Sequence, residues 1–75
     1  MPKLPLLTGK ELMKIIIQMG FVKIRQEGSH VFFQHTDGRT IVIPDHSGEE
    51  IDRGLLNKII KKDLQVSREE FERYL

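Results

Sequence analysis

Of the 75 residues, Gly28-Ser29-His30 carry the clearest chemistry. The triplet sits in a tight hairpin turn and sets a histidine at the start of the next strand, just ahead of Val31-Phe32-Phe33-Gln34-His35. Imidazole is the side chain best matched to proton transfer near neutral pH, with a reference pKa of about 6.5. A short turn fixes the direction of such a ring better than a flexible loop does, so His30 is a candidate general base or general acid. The other two histidines are His35 and His46. Strand alternation sends His35 to the opposite face from His30, and His46 falls in a loop. With Asp37 and Asp45 they form a set of possible metal ligands, but the spacing matches no zinc pattern. Aspartates in turns have a geometric reason of their own, and no metal or other cofactor is expected.

A small scaffold must hold that ring in place. Residues 1–75 make one domain, and a chain this short buries only about 60% of its unfolded surface. A deep cavity is therefore not expected; the site should lie on the surface and act on a large substrate. With no cysteine, neither disulfides nor thiolate metal sites staple the fold. No leader pattern and no apolar run near 18 residues is found, which predicts a cytoplasmic protein away from membranes. The net charge is only +1, but its distribution is uneven. Lys58, Lys61 and Lys62 cluster late, and Lys23 and Arg25 stand together early. Such local basic faces bind phosphate, or are simply solvated.

The element pattern is legible. Pro2-Lys3-Leu4-Pro5 reads as an extended lead-in. Thr8 and Glu11 form a capping box, followed by Leu12, Ile15, Ile16 and Met19 at helical spacing and by Gly20 as the stop. Three strands follow: Phe21 to Arg25, with Val22 and Ile24 expected inward; His30 to His35; and Thr40 to Pro44, with Ile41 and Ile43 inward. Gln26-Glu27-Gly28-Ser29 is the first turn. Asp37-Gly38 suggests a primed hairpin for the second. After the loop Asp45-His46-Ser47-Gly48, a helix carries Ile51, Leu55, Leu56, Ile59 and Ile60 on its apolar face. Ser67-Arg68-Glu69-Glu70 opens a short last helix that presents Phe71 and Tyr74 to the core.

The order is thus α-β-β-β-α plus a C-terminal helix, an α+β fold with a three-stranded antiparallel sheet. Two apolar helix stripes and one sheet share a core only if both helices cover the same sheet face. The other face is left open. Burying Gln34 without a partner is costly, so Val31 and Phe33 turn inward and His30, Phe32 and Gln34 outward. Lys23 and Arg25 are expected beside them. A histidine, two cations and an exposed ring make a coherent surface for RNA: cations for phosphate, the ring for a base or a protein partner, the imidazole for a proton. Phe32 and Val42 form an apolar pair that a partner protein would cover, or that stands as a tolerated exposed patch.

Taken together, Gly9-Lys10-Glu11-Leu12, Gly20-Phe21, Gly28-Ser29-His30, His35-Thr36-Asp37-Gly38-Arg39 and Val42-Ile43-Pro44 resemble the HicA toxin family. The resemblance runs on through Ile51 to Ile60, short only of the last dozen residues. It implies a double-stranded-RNA-binding-domain-like fold and an mRNA interferase that cleaves without the ribosome. It also implies a cognate HicB antitoxin that blocks the enzyme, and a cleavage role for the histidine of the Gly-Ser-His motif, here His30.

RNA carries its own nucleophile, so metal-independent cleavage to a 2′,3′-cyclic phosphate needs only proton transfer and charge stabilisation. His30 serves as base or acid, and Lys23 or Arg25 stabilises the phosphate. Ser29 orients the ring or the phosphate, or is an ordinary turn serine. Lys58, Lys61 and Lys62 grip the backbone, or form a solvated helix face. Two other readings compete: a non-catalytic RNA-binding adaptor of the same fold, and a protein-interaction module built on Phe32 and Val42.

Overall fold

The computed structural model describes residues 4–46 and 48–75. The lead-in Pro2–Pro5 and the loop residue Ser47 thus fall partly or wholly outside the described residues. Helix α1 spans Gly9–Gln18 and starts as its sequence predicts. The Glu11 N–H donates to Thr8 Oγ1 at 3.2 Å, and the Thr8 N–H donates to Glu11 Oε1 at 2.9 Å. The backbone bond from Thr8 holds the Glu11 carboxyl below its usual range, and the Thr8 side chain adds to this. Leu12, Ile15 and Ile16 are buried along one stripe.

Strands β1 (Phe21–Glu27), β2 (His30–His35) and β3 (Thr40–Pro44) form an antiparallel sheet in the order β1-β2-β3. Phe21, Val31, Phe33, Ile41 and Ile43 face the core, and both α1 and the later helical segment pack on that side. Among the described residues, no element covers the other face, as the two apolar helix stripes require.

Strand β1 departs from expectation. Phe21 takes the inward place opposite His35, so Val22 falls opposite Gln34 on the open face. A bulge between Lys23 and Arg25 then inserts Ile24 as an extra residue and resets the alternation. Val22 and Ile24, expected inward, are 63% and 51% exposed. A bulge of this kind also blunts an edge strand against pairing with other chains.

The second turn is not a two-residue primed hairpin. Only Gly38 has positive φ, at 101°, whereas a type I′ turn needs it at Asp37 as well. The chain instead makes a three-residue loop, with Gly38 N–H to His35 O at 2.9 Å and His35 N–H to Arg39 O at 2.8 Å.

Helix α2 begins at Arg53, capped by Asp52, whose carboxylate accepts from the Gly54 and Leu55 N–H groups. It runs only to Lys58 before widening into a π-helical turn over Ile59–Leu64. A π turn aligns residue i with i+5 rather than i+4. Leu64, not Asp63, therefore follows Ile59 into the core, where both are fully buried with Ile60. Gln65 ends the turn in the left-handed region at φ 57°, and helix α3 spans Arg68–Glu72. Among the described residues, no helix is long and apolar enough to cross a membrane.

Arg39 ties the hairpin to this helical end. Its Nη1 donates to the Leu64 carbonyl, its Nε to Asp37 Oδ2 at 2.8 Å, and its guanidinium lies 5.2 Å over the Phe21 ring. The Arg39 N–H donated to Asp37 Oδ1 holds that carboxyl below its usual range, and the positive charge of Arg39 adds to this. Arg39→Ala leaves a helix-end carbonyl without its charged donor, which costs about 1.5–3 kcal/mol. The urea midpoint should fall accordingly. Arg39→Lys should recover only part of the loss, because an ammonium cannot span carbonyl and carboxylate as a planar fork does.

Candidate active site on the open sheet face

Strand β1 reaches Glu27, so the first turn has only two central residues, Gly28 and Ser29. Gly28 has φ 60° and Ser29 does not share the positive sign, as in a type II′ turn with glycine first. This geometry suits the twist of the flanking strands and pairs Glu27 directly with His30. The Ser29 carbonyl accepts from the Asp45 N–H at 2.7 Å, which anchors the turn to the end of β3. The Gln26 side-chain amide donates to the Gly28 carbonyl at 3.0 Å. The backbone that carries His30 is therefore held on both sides.

His30 itself is exposed at the start of β2, between Glu27 on β1 and Pro44 on β3. Among the described residues, no hydrogen bond or ion pair engages its ring. Both ring nitrogens are thus open to a ligand. One row along the sheet, Arg25, Phe32 and Val42 stand across the three strands. The Arg25 guanidinium carbon lies 4.2 Å over the Phe32 ring, and Arg25 Nε donates to Glu27 Oε2 at 2.5 Å. Phe32 is half-buried beneath this arginine, and Val42 is exposed beside it. Val22 and Ile24 join Gln34 in a shallow depression toward the far end of the face.

The other residues singled out from sequence separate. Lys23 pairs with the buried Phe33, in phase with the helix-covered side, and its Nζ donates to Gln26 Oε1 at 3.3 Å. Its expected place beside His30 is corrected by the same register that turns Val22 outward. Lys58, Lys61 and Lys62 are exposed on the helical layer, with Ile59, Ile60 and Leu64 packed between them and the sheet. They do not join the His30 surface. Ser29 is half-buried in the turn.

His35 is engaged structurally, on the face away from His30. Its ring meets Phe21 edge-on, with centroids 5.1 Å apart. Nδ1 accepts the Asp37 N–H at 3.1 Å, so Nε2 carries the proton given to the Met19 carbonyl at 3.2 Å. Among the described residues, no three histidine or carboxylate groups gather as a metal site.

Glu27 is the neighbour that sequence reasoning missed. Reading Gly28-Ser29 as a complete turn makes positions 27 and 30 partners, and i,i+2 spacing along β1 puts Arg25 and Glu27 on one face.

A histidine beside an arginine-capped aromatic ring, on an uncovered sheet, is able to engage a phosphodiester and shift a proton. No curated protein matches the chain. The family model described as the HicA toxin of bacterial toxin–antitoxin systems matches residues 9–65, from the first residue of α1 to the left-handed Gln65. The chain belongs to the HicA toxin family.

Proposed function

We propose that this chain is a metal-independent mRNA endoribonuclease whose reacting group is His30. The observation that carries the reading is an exposed imidazole, without a hydrogen-bond or ion-pair partner among the described residues, held at a braced two-residue turn on the open face. His30 takes the proton of a ribose 2′-hydroxyl, the 2′-oxygen bonds to phosphorus, and the bond from phosphorus to the 5′-oxygen breaks. One ring cannot serve as base and acid in the same concerted step, so the leaving oxygen takes its proton from solvent. Arg25, one row away, stabilises the charge that grows on the phosphate. Ser29 lines the turn that the phosphate meets. Lys58, Lys61 and Lys62 hold more distant RNA backbone, a sequence-independent and salt-sensitive contribution.

Membership of a toxin–antitoxin family implies an antitoxin partner. We assign that partner, of the HicB type, to the open face, where Phe32 and Val42 leave apolar surface one row from His30 and Val22 and Ile24 extend it toward the far end. An antitoxin seated there covers the catalytic ring and the apolar patch together.

End-group analysis tests the reaction. Purified protein in EDTA should cut mRNA to products ending in 2′,3′-cyclic phosphate and 5′-hydroxyl, and should leave a DNA copy intact. Products bearing 5′-phosphate, or cleavage that needs a divalent ion, would rule out the 2′-hydroxyl mechanism. Binding of RNA with no cleavage at all would favour the adaptor reading.

A further inference from the structure

We infer that Glu27 is a positioning residue of the cleavage site, holding Arg25 against Phe32 beside His30 with its terminal nitrogens left for the scissile phosphate; this rests on the endoribonuclease reading above. The arrangement has three parts. The Glu27 carboxylate takes the Arg25 Nε–H at 2.5 Å. The Phe32 ring supports the flat face of the guanidinium at 4.2 Å. Cross-strand pairing sets Glu27 opposite His30 and Arg25 opposite Phe32, so the four residues form a block on adjacent rows.

An arginine side chain alone in solvent samples many rotamers. Here the guanidinium is restrained at its Nε edge and on one face. Among the described residues, no other partner engages it, so the Nη1 and Nη2 donors are available. Those two donors form the fork that matches a pair of phosphate oxygens. A donor oriented before the substrate arrives stabilises the charge growing on the transferring phosphoryl group without reorganising during the reaction.

The acid has a second, opposing effect. A carboxylate beside a phosphate site repels RNA in the ground state. If Glu27 were only a charge, its removal would improve binding and leave turnover unchanged or faster. If Glu27 positions Arg25, its removal improves or spares binding while turnover falls. The two effects separate in KM and kcat.

Steady-state cleavage of one RNA oligonucleotide by wild type, Glu27→Ala, Glu27→Gln, Arg25→Ala and the Glu27→Ala/Arg25→Ala pair decides between them. Circular dichroism melts would confirm that each variant is folded. Glu27→Ala is expected to lower kcat about tenfold with KM unchanged or reduced. Glu27→Gln, which keeps an acceptor for Nε, should restore part of kcat. The double variant should turn over no more slowly than Arg25→Ala, because the acid acts through the arginine. An unchanged or raised kcat for Glu27→Ala, or losses that multiply in the double variant, would overturn the inference while wild-type cleavage leaves the reaction standing. A wild type that does not cleave RNA sinks the reaction itself, and this role with it.

Discussion

Replacing His30 by alanine is expected to slow RNA cleavage by about 10²–10⁴-fold, the range that one well-placed proton-transfer group contributes. Inducing the wild type is expected to arrest growth, and inducing the His30→Ala variant is not. The fold should not suffer. The ring is exposed and, among the described residues, makes no hydrogen bond that folding relies on. The turn before it is held by backbone contacts that alanine keeps, between Asp45 and Ser29 and along the β1–β2 ladder. A melting temperature close to wild type, with the antitoxin still bound, is the expected companion result.

His35→Ala should show the inverse. That ring bridges the Met19 carbonyl, the Asp37 N–H and the Phe21 edge, so its loss lowers stability while the His30 surface is left intact. Undiminished cleavage by His30→Ala would remove the basis for the mechanism. Equal loss of activity in both variants at full folding would mean that the reacting histidine is not identified by its exposure.

The contrast between these histidines was readable from alternation alone. Burying Gln34 without a partner is costly, and that one argument assigns Val31 and Phe33 inward and His30 outward. Helix α1 was equally legible, because the Thr8–Glu11 box and the Leu12-Ile15-Ile16 stripe are local signals. Strand β1 was not. Val22 and Ile24 look like inward residues when only the strand's own alternation is considered. Their exposure follows from Phe21 taking the first inward place and from a bulge that the paired strand alone makes visible. Lys23 was misplaced with them.

The π-helical turn was hidden for a related reason. Nothing local forbids an α-helix through Lys61, Lys62 and Asp63. The wider turn answers to tertiary demands: Leu64 fills the core, and its carbonyl meets Arg39 from a hairpin 25 residues away. Side chains that act in pairs were the least legible part of the site. Arg25 reads as a cation for phosphate, yet its ion pair with Glu27 and its seat on Phe32 appear only once Gly28-Ser29 is seen to be the whole turn, which extends the strand to Glu27 and sets Arg25 opposite Phe32.

Phe71→Ala is expected to destabilise the protein by about 3–5 kcal/mol, the usual cost of truncating a fully buried aromatic side chain. Against the roughly 5–15 kcal/mol by which domains are stable, that is a large share for a chain of this size. Phe71 is completely buried although its helix, α3, has only five residues and lies beyond the matched span of residues 9–65. The Ser67 hydroxyl, accepting the Glu70 N–H at 3.1 Å, starts that helix, and the helix packs back on the π-helical segment. The residues after Gln65 are thus part of this core rather than an appendage to it. A fall in the urea midpoint at unchanged slope would report the loss, with the exposed Glu69→Ala as a control expected to stay within about 0.5 kcal/mol. Since α3 packs on the helical layer, with the sheet between it and His30, the Phe71→Ala protein that remains folded should cleave RNA at the wild-type rate. A wild-type midpoint would show that α3 is dispensable to the core. A normal midpoint with lost cleavage would instead place the last helix in the site.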